Sequence, residues 1–507
     1  MNIISELEKI TRKTPNKIAL INEESSVTYE LLFNQINRTV NTFKQIGIKE
    51  GDRILIQIGN RMEFIYCYFA AMKMEAIIVP INPTYTPKEI AFIAENAQPT
   101  LFICEQSAQK NIPVISSKSS EFKTYLLLDE TDEDKDFHSV LKRHSSTNDS
   151  SIMNDDKVCQ ILYTSGTTGR PKGAMLTHDG LARNAMTYSE ILKCTEKDIG
   201  LIVAPLYHSA SQTNCLLTML ISGATCYIMP KYNTEKVLHT LQAEKITYFF
   251  GPPTMYAMLL NNKCISKYEF ALRIAFTGAA SMPISVHEKW KEIFGFDILE
   301  GYGLTECSPI VSNHRYGKKI KHGSVGPPLP GIEINIIDEE GIEVDTGMKG
   351  EVTVKGPNVM KGYWRMPKET AEVLRHGWFY TGDIGYKDED GYLYIVDRKK
   401  DMINQGGLKI YPREVEEVLY QDTRFLEVAV VGEPDVIKGE LVMAFVTLKN
   451  NEKIDFEEVK ETCRKELAPY KVPKRFYIID KMPKTLSGKI QKNMLIGDSS
   501  HRDALNR

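Results

Sequence analysis

A glycine-rich stretch at residues 163–173, Tyr-Thr-Ser-Gly-Thr-Thr-Gly-Arg-Pro-Lys-Gly, carries the clearest chemistry in the chain. Glycines let such a loop bend tightly, its N–H groups and hydroxyls can bind phosphate oxygens, and its lysine adds positive charge. It is not the nucleotide-binding P-loop, whose glycines stand farther apart and whose lysine is followed directly by Ser or Thr. The stretch predicts a phosphate-binding loop, although an ordinary surface turn has the same composition. The candidate binding residues are Thr164, Ser165, Gly166, Thr167, Thr168, Gly169 and Lys172.

A second candidate site is the segment 301–306, Gly-Tyr-Gly-Leu-Thr-Glu. The ring of Tyr302, flanked by glycines, could stack on a purine. The carboxylate of Glu306 suits Mg²⁺, which prefers oxygen ligands and is usually shared with phosphates. The segment is not a dinucleotide-binding fingerprint, because Glu306 stands where the third glycine belongs. It therefore predicts a nucleotide and metal site.

Two shorter motifs each lie at the end of an apolar run that is typical of a strand. Pro-Leu-Tyr-His at 205–208 follows one run, and Thr-Gly-Ala-Ala at 277–280 ends another. Open α/β sheets bind ligands at the carboxyl ends of their strands, so both motifs are candidates for a binding site. On the residues alone, a lone histidine such as His208 is more often structural than catalytic, and a tight strand-to-helix turn at 277–280 is as compatible as a binding site.

Four motifs near the C-terminus have less specific compositions. Trp-Phe-Tyr-Thr-Gly-Asp (378–383), Asp-Arg-Lys-Lys-Asp (397–401) and Gln-Gly-Gly-Leu-Lys (405–409) could each be a solvated turn. Pro-Lys-Thr-Leu-Ser-Gly-Lys-Ile (483–490) lies in a region, 471–492, with seven Lys or Arg residues and one acid. That region is either a solvated basic face or a surface that attracts phosphates.

In this order, the motifs resemble the signatures of the adenylate-forming superfamily, which includes acyl-CoA synthetases, adenylation domains of peptide synthetases and beetle luciferases. The matching family patterns are T-S-G-T-T-G-x-P-K-G, P-L-F/Y-H, G-A-A, G-Y-G-x-T-E, W-x-x-T-G-D, [GD]-R-x-[KD]-D and P-K-T-x-S-G-K. The resemblance favours the acyl-CoA synthetase branch. It implies an enzyme that uses ATP, Mg²⁺ and coenzyme A, first forming acyl-AMP and pyrophosphate and then acyl-CoA and AMP.

The resemblance also implies catalytic roles for five residues. Lys489 would reach the carboxylate and α-phosphate, Thr305 would contact the α-phosphate, and Glu306 would hold the metal. His208 would lie beside the reacting carboxylate, and Lys172 would assist the departing pyrophosphate.

Further roles follow from the same resemblance. Asp383 and Arg398 would bind the ribose, and Lys400 would be the hinge between a large and a small domain. Gly407 would line the tunnel for the pantetheine arm of coenzyme A. The remaining nucleotide-binding residues implied by the family are Gly278, Ala279, Ala280, Gly301, Tyr302 and Gly303.

The elements that must position these residues follow a repeating pattern. Amphipathic helical segments alternate with short apolar runs over the first ~150 residues and again after residue 172, which predicts two helix-flanked, mostly parallel sheets. From residue 331 the pattern is β-rich, predicting a small β-barrel, and beyond 397 it predicts a small, mobile α+β domain. The fold class is thus α/β with a large domain at 1–399, divided near 1–150, 158–330 and 331–396, and a lid domain at 400–507.

Composition limits the possible functions. The chain has 507 residues, 42% of them hydrophobic, and a net charge of −3, which gives no general attraction to nucleic acids. Nine cysteines without a C-x-x-C pair argue against a disulfide framework and favour a cytoplasmic location. The uncharged segment 209–230 is interrupted by polar residues and glycine, so no membrane span is predicted, although peripheral membrane contact stays possible. The oligomeric state is not predicted.

The substrate is the most open prediction. Relatives that activate amino acids carry an acid within the region matching 205–219, and malonate-activating relatives carry arginine at the position of Gly301; this chain has neither. A neutral acyl tail is therefore favoured, with a medium- or long-chain fatty acid first and an aryl acid second. Transfer to an acyl carrier protein and a non-catalytic nucleotide-binding role are the remaining alternatives.

Overall fold

The computed structural model describes residues 1–147, 154–165, 170–449, 454–484 and 490–497. Five predicted site residues lie outside the described residues: Gly166, Thr167, Thr168, Gly169 and Lys489. In the part of the chain that the structure describes, no helix combines the length and apolarity needed to cross a membrane.

The first part of the chain alternates helices and strands, as its periodicity predicts. Its elements are α1 (Ile3–Lys13), β1 (Ile18–Ile21), β2 (Ser26–Thr28), α2 (Tyr29–Ile46), β3 (Arg53–Gln57), α3 (Met62–Lys73), β4 (Ile77–Pro80), α4 (Pro87–Ala97), β5 (Leu101–Glu105), α5 (Ile112–Lys118), β6 (Thr124–Leu128) and α6 (Phe137–Lys142). Local chemistry fixes the helix ends: the Thr28 side chain caps the first turn of α2, and left-handed Gly47 ends that helix.

The alternation continues through the middle of the chain. The elements are β7 (Val158–Ser165), β8 (Pro171–Thr177), α7 (His178–Leu192), β9 (Ile199–Ile202), a π-helix (Ser211–Leu217), α8 (Thr218–Ile221), β10 (Thr225–Ile228), α9 (Thr234–Ala243), β11 (Tyr248–Phe250), α10 (Pro253–Leu260), β12 (Ile274–Thr277), α11 (Ile284–Phe294), β13 (Leu299–Gly303) and β14 (Ile310–Asn313).

These strands form two mostly parallel sheets, and each sheet combines strands from the first and the middle part of the chain. The six-stranded sheet has the order β6-β5-β3-β4-β7-β8, and the eight-stranded sheet has the order β14-β13-β12-β11-β9-β10-β1-β2. The β1–β2 pair thus joins the later strands, with Leu20 opposite Cys226, while β7 and β8 join the earlier ones. Sheet membership therefore does not follow the predicted division near residue 150. The Tyr29 hydroxyl bonds the Ala224 carbonyl at 2.6 Å, within one hydrophobic core that contacts both sheets.

The rest of the chain contains the predicted β-rich and α+β units. Strands β15 (Glu333–Ile337), β16 (Gly350–Lys355), β17 (Leu374–Arg375), β18 (Trp378–Lys387) and β19 (Leu393–Arg398), with helix α12 (Pro367–Val373), form an antiparallel half-barrel. The C-terminal sheet contains β20 (Ile403–Gln405), β21 (Leu408–Ile410), β22 (Phe425–Asp435), β23 (Gly439–Leu448) and β24 (Arg475–Ile478), with helices α13 (Pro412–Leu419), α14 (Phe456–Glu466) and α15 (Lys492–Gly497). The predicted α/β fold class is confirmed.

Candidate active site

The described ends of the predicted phosphate loop belong to two antiparallel strands, β7 and β8. Thr164 pairs with Lys172, and Ser165 with Pro171, in the antiparallel ladder of β7 and β8. Gly173 is required in this hairpin, since a Cβ there would lie 2.7 Å from the Ile161 side chain. The hairpin thus places Thr164 and Lys172 directly across from each other at the base of the loop.

The glycines of the segment 301–306 allow β13 and β14 to pack closely. A Cβ on Gly301 would lie 2.3 Å from Asn313 Oδ1, and one on Gly303 would lie 2.1 Å from the Pro309 carbonyl oxygen. After Gly303 the chain enters a short 3₁₀ helix, Thr305–Cys307. This turn directs Glu306 away from the sheet and toward the hairpin.

Glu306 joins the two strongest motifs of the sequence. Its Oε1 accepts a hydrogen bond from the Tyr363 hydroxyl at 3.0 Å and lies 3.4 Å from the Thr164 hydroxyl. The Lys172 ammonium lies 5.2 Å from the centroid of the Tyr363 ring, a cation–π distance. Thr164, Lys172 and Glu306, which are far apart in sequence, therefore form one wall of a site. Tyr363 completes this wall and is absent from the residues predicted by the sequence.

The segment that carries His208 reaches the same turn through the next residue, Ser209. The Ser209 hydroxyl is 3.1 Å from the Thr305 hydroxyl, so the segment 205–209 contacts the 3₁₀ helix that carries Glu306. The Asn60 side chain fixes the start of this segment. It donates to the Ala204 carbonyl at 3.2 Å and accepts from the Leu206 N–H at 2.8 Å. The segment that carries His208 therefore contacts the turn that carries Thr305 and Glu306, and the role of His208 beside the reacting carboxylate stays a prediction.

Tyr302 contacts the predicted ribose site through its hydroxyl. This hydroxyl donates to Asp383 Oδ2 at 2.5 Å, and Arg398 Nε lies 3.3 Å from Asp383 Oδ1. Burial of the phenol, together with the negative charge of Asp383, raises the pKa of Tyr302 well above its usual value. The hydroxyl therefore stays protonated and can orient the carboxylate. Strands β18 and β19 align this pair, since Asp383 and Arg398 are opposite each other.

The segment 278–280 forms an open turn after β12. Gly278 is buried, and a Cβ on it would lie 3.1 Å from the Gly301 carbonyl oxygen, whereas Ala279 and Ala280 are exposed. Ala279 has a φ of 70°, in the left-handed region that side chains rarely adopt. Buried Glu300 accepts a hydrogen bond from Met282 N–H at 3.2 Å, which anchors the far end of this turn. The two small residues leave space in which a flat ring could lie.

The predicted hinge and tunnel residues lie in the C-terminal region. Lys400 is in a short 3₁₀ helix, Lys399–Asp401, and is exposed. Gly407 is in the β20–β21 turn with a φ of 87°, and its N–H donates to Asn404 Oδ1 at 3.0 Å. This bond closes the turn between β20 and β21 of the C-terminal sheet.

The Glu306 carboxylate fits a magnesium ion that is shared with phosphates. Among the described residues, no group of three or more His, Cys, Asp or Glu side chains is placed to hold a metal. Mg²⁺ at nucleotide sites needs only one or two carboxylates, because phosphate oxygens and water complete its coordination. A single carboxylate beside Thr164 and Lys172 is compatible with that arrangement.

Family models match most of the chain. The model for an AMP-binding enzyme covers residues 7–364, and that for the AMP-binding enzyme C-terminal domain covers 414–489. A long-chain-fatty-acid–CoA ligase of Bacillus subtilis is 34% identical over 96% of this chain and 92% of its own length. A feruloyl-CoA synthase of an Amycolatopsis species is also 34% identical, over 95% of this chain and 96% of its own.

Solved structures of similar proteins have the same fold over nearly the whole chain. ATP-bound MatB from Rhodopseudomonas palustris superposes with a TM-score of 0.91 at 31% identity, covering 98% of each chain. The anthranilate CoA ligase AuaEII, solved with anthranoyl-AMP, gives a TM-score of 0.92 at 28% identity over 98% of this chain and 96% of its own. The resemblance inferred from the motifs is confirmed. The chain therefore belongs to the adenylate-forming family of AMP-binding enzymes and is an AMP-forming acid–thiol ligase.

Proposed function

We propose that this ligase activates a carboxylic acid with a neutral apolar tail, in the first place a medium- or long-chain fatty acid. The acid carboxylate attacks the α-phosphorus of ATP, releasing pyrophosphate and forming acyl-AMP. The thiol of coenzyme A then displaces AMP to give acyl-CoA. The observation that carries this proposal is the convergence of Thr164, Lys172 and Glu306 in one wall, with Ser209 touching Thr305 beside it.

Each residue has a distinct place in the first step. Lys172 and the phosphate loop neutralise the departing pyrophosphate, and Thr305 contacts the α-phosphate. Glu306 holds the magnesium ion, which when bound offsets negative charge on the phosphates. Lys489 stabilises the charge that develops between carboxylate and α-phosphate. Preorganised charge of this kind is the main source of rate enhancement in phosphoryl chemistry.

The remaining residues hold the nucleotide and prepare the second step. Asp383, oriented by the Tyr302 hydroxyl, binds the ribose together with Arg398, and the turn 278–280 borders the adenine. For thioester formation the C-terminal region rotates about Lys400 and brings Gly407 to the pantetheine arm.

Packing near the proposed acyl pocket supports a neutral tail. The π-helix Ser211–Leu217 is buried, and three of its side chains are hydrogen bonded to backbone carbonyls: Ser211 to Ala204, Gln212 to Leu206 and Thr213 to Ser308. The donor hydrogens of these hydroxyls are therefore already used within the protein. Asn313 fills the space beside Gly301, so the chain has no room there for a basic side chain.

Two alternatives concern the substrate and the acceptor. An aryl acid is the second candidate, because relatives include a feruloyl-CoA synthase and a benzoate CoA ligase. An acyl carrier protein could replace coenzyme A as the thiol.

A cytoplasmic location fits the nine free cysteines, most of which are buried.

A panel of carboxylic acids, assayed for AMP release that depends on coenzyme A, tests this proposal. We expect the highest kcat/KM for fatty acids of medium or long chain. Preference for an aryl acid would select the second candidate, and preference for an amino acid or dicarboxylate would overturn the proposal. Replacing coenzyme A with a phosphopantetheinylated carrier protein distinguishes the two acceptors.

A further inference from the structure

The segment 360–364 connects the hairpin with the turn that carries Glu306. Along its length, Met175 N–H donates to the Gly362 carbonyl at 2.9 Å, and Trp364 N–H donates to the Gly173 carbonyl at 2.7 Å. At its start, Met360 N–H donates to the backbone carbonyl of Glu306 at 2.8 Å. The segment therefore fixes the distance between the hairpin strand β8 and Glu306.

The Tyr363 side chain lies between the two charged groups of this wall. Its residue is only 7% exposed, its ring is 5.2 Å from the Lys172 ammonium, and its hydroxyl donates to Glu306 Oε1 at 3.0 Å. The Thr164 hydroxyl lies 3.4 Å from the same oxygen. Within the described part of the chain, no hydrogen bond to Glu306 Oε2 is formed. Two hydroxyls thus converge on one carboxylate oxygen and leave the other available as a ligand.

We propose that Tyr363 is a positioning residue that orients the Glu306 carboxylate so that Oε2 can bind the magnesium ion of the ATP complex. The proposal rests on the proposed metal role of Glu306. Hydrogen-bonded partners of metal ligands fix the direction of the ligand, and their loss typically weakens metal binding by roughly 10-fold to 100-fold. The Lys172 ammonium lies 5.2 Å from the centroid of the same ring, so one side chain contacts both charged residues of the wall.

The Tyr363→Phe variant tests this role, because it keeps the ring under Lys172 and removes only the hydroxyl. Mn²⁺, as a paramagnetic probe, is titrated into enzyme saturated with a non-hydrolysable ATP analogue, and free Mn²⁺ is followed by electron paramagnetic resonance. We expect Mn²⁺ affinity to fall by roughly 10-fold or more, with an unchanged unfolding temperature. Tyr394→Phe is the matched control, since it removes a hydroxyl that bonds the remote carboxylate of Asp388.

A Glu306→Gln variant separates the inference from the function on which it rests. If Glu306→Gln weakens Mn²⁺ binding and Tyr363→Phe leaves it at the level of Tyr394→Phe, the positioning role of Tyr363 is overturned. If Glu306→Gln leaves Mn²⁺ binding unchanged, the metal role of Glu306 fails and the inference fails with it. Weakened binding in both variants, at unchanged unfolding temperature, supports the proposal.

Discussion

Two regions of the molecule are held by different kinds of contact. One is the phosphate wall, which is formed by Thr164, Lys172, Glu306 and Tyr363. The other is the C-terminal unit, residues 400–497. Direct hydrogen bonds and a cation–π contact between partly buried groups join the wall. The C-terminal unit meets the rest of the chain partly through an exposed ion pair between Lys409 and Glu339. Exposed pairs contribute little to stability and weaken with salt.

Partly buried hydrogen bonds also join the C-terminal unit to the half-barrel, close in sequence to Lys400. Asp397, in β19, accepts a hydrogen bond from Arg413 N–H at 2.9 Å, and the Arg413 guanidinium donates to the Ile395 carbonyl at 2.5 Å. These bonds cross from the half-barrel to the first turn of α13 and hold the observed orientation. The phosphate wall is therefore formed by direct contacts among its own groups, whereas the unit carrying Gly407 is held by contacts that the proposed rotation about Lys400 would exchange.

The largest expected effect is that of Lys489→Ala, which tests whether this lysine serves only the first step. We expect fatty acid-dependent ATP–pyrophosphate exchange to fall by roughly 10²–10³-fold, since a preorganised charge at the reacting phosphate is lost. Thioester formation from supplied acyl-adenylate should stay near the wild-type rate. Lys484→Ala is the control, because Lys484 lies in the same segment and pairs with Glu427. Equal loss in both half-reactions would contradict the division of labour.

The next largest effect is on the free energy of unfolding, and it is compared between a glycine near the wall, Gly303, and one in the C-terminal unit, Gly407. In Gly303→Ala the new methyl group would collide with the Pro309 backbone, and we expect a loss of about 1–3 kcal/mol in the free energy of unfolding. In Gly407→Ala the methyl group meets no described atom within 4 Å, so only the left-handed backbone costs energy, about 1 kcal/mol. Calorimetric unfolding temperatures measure both changes.

Gly407→Ala should nevertheless impair thioester formation more than adenylation, because the role proposed for this glycine belongs only to the second step. Gly377→Ala is its matched control, with a φ of 83° and equally open surroundings. If the two variants slow thioester formation equally, the proposed role of Gly407 is wrong.

The smallest expected effect is a change in stability with pH that is caused by Asp397, which lies close in sequence to Lys400. Burial raises the pKa of Asp397 above its usual 3.8, so the folded protein binds this proton more tightly than the unfolded chain. Stability from this group is therefore present at low pH and is lost as pH rises from 3.8 through the raised pKa. Asp397→Asn keeps an acceptor for Arg413 N–H but cannot ionise. We expect wild type to lose stability relative to Asp397→Asn over that interval in calorimetric scans; parallel pH curves would contradict this.

Local sequence patterns predicted most helices and strands but not every pairing. An amphipathic period predicts a helix over 28–46, and apolar runs predict strands over 53–58 and 100–104. The structure has α2, β3 and β5 within one residue of these bounds. The pairing of Leu20 with Cys226 depends on contacts distant in sequence, which no local pattern encodes. Strand β8 was also missed, because Pro171, Lys172 and Gly173 have low strand propensity and pair only through the hairpin.

The candidate site was partly predictable for the same reason. Thr164, Lys172 and Glu306 stand in distinctive motifs, and the structure brings them together. Tyr363 was missed because a lone aromatic after glycine is typical of ordinary packing. The neighbouring sequence Lys-Gly-Tyr-Trp offered only a weak signal, and the hydroxyl contact with Glu306 appears only once the segment 360–364 pairs with β8.

The central claim is that the phosphate wall performs adenylation without help from the Gly407 turn. Acid-dependent ATP–pyrophosphate exchange, measured with a fatty acid and without coenzyme A, tests it most directly. We expect exchange in the wild type and in Gly407→Ala, and its loss in Glu306→Gln. Absence of acid-driven exchange in the wild type, or wild-type exchange in Glu306→Gln, would contradict the account.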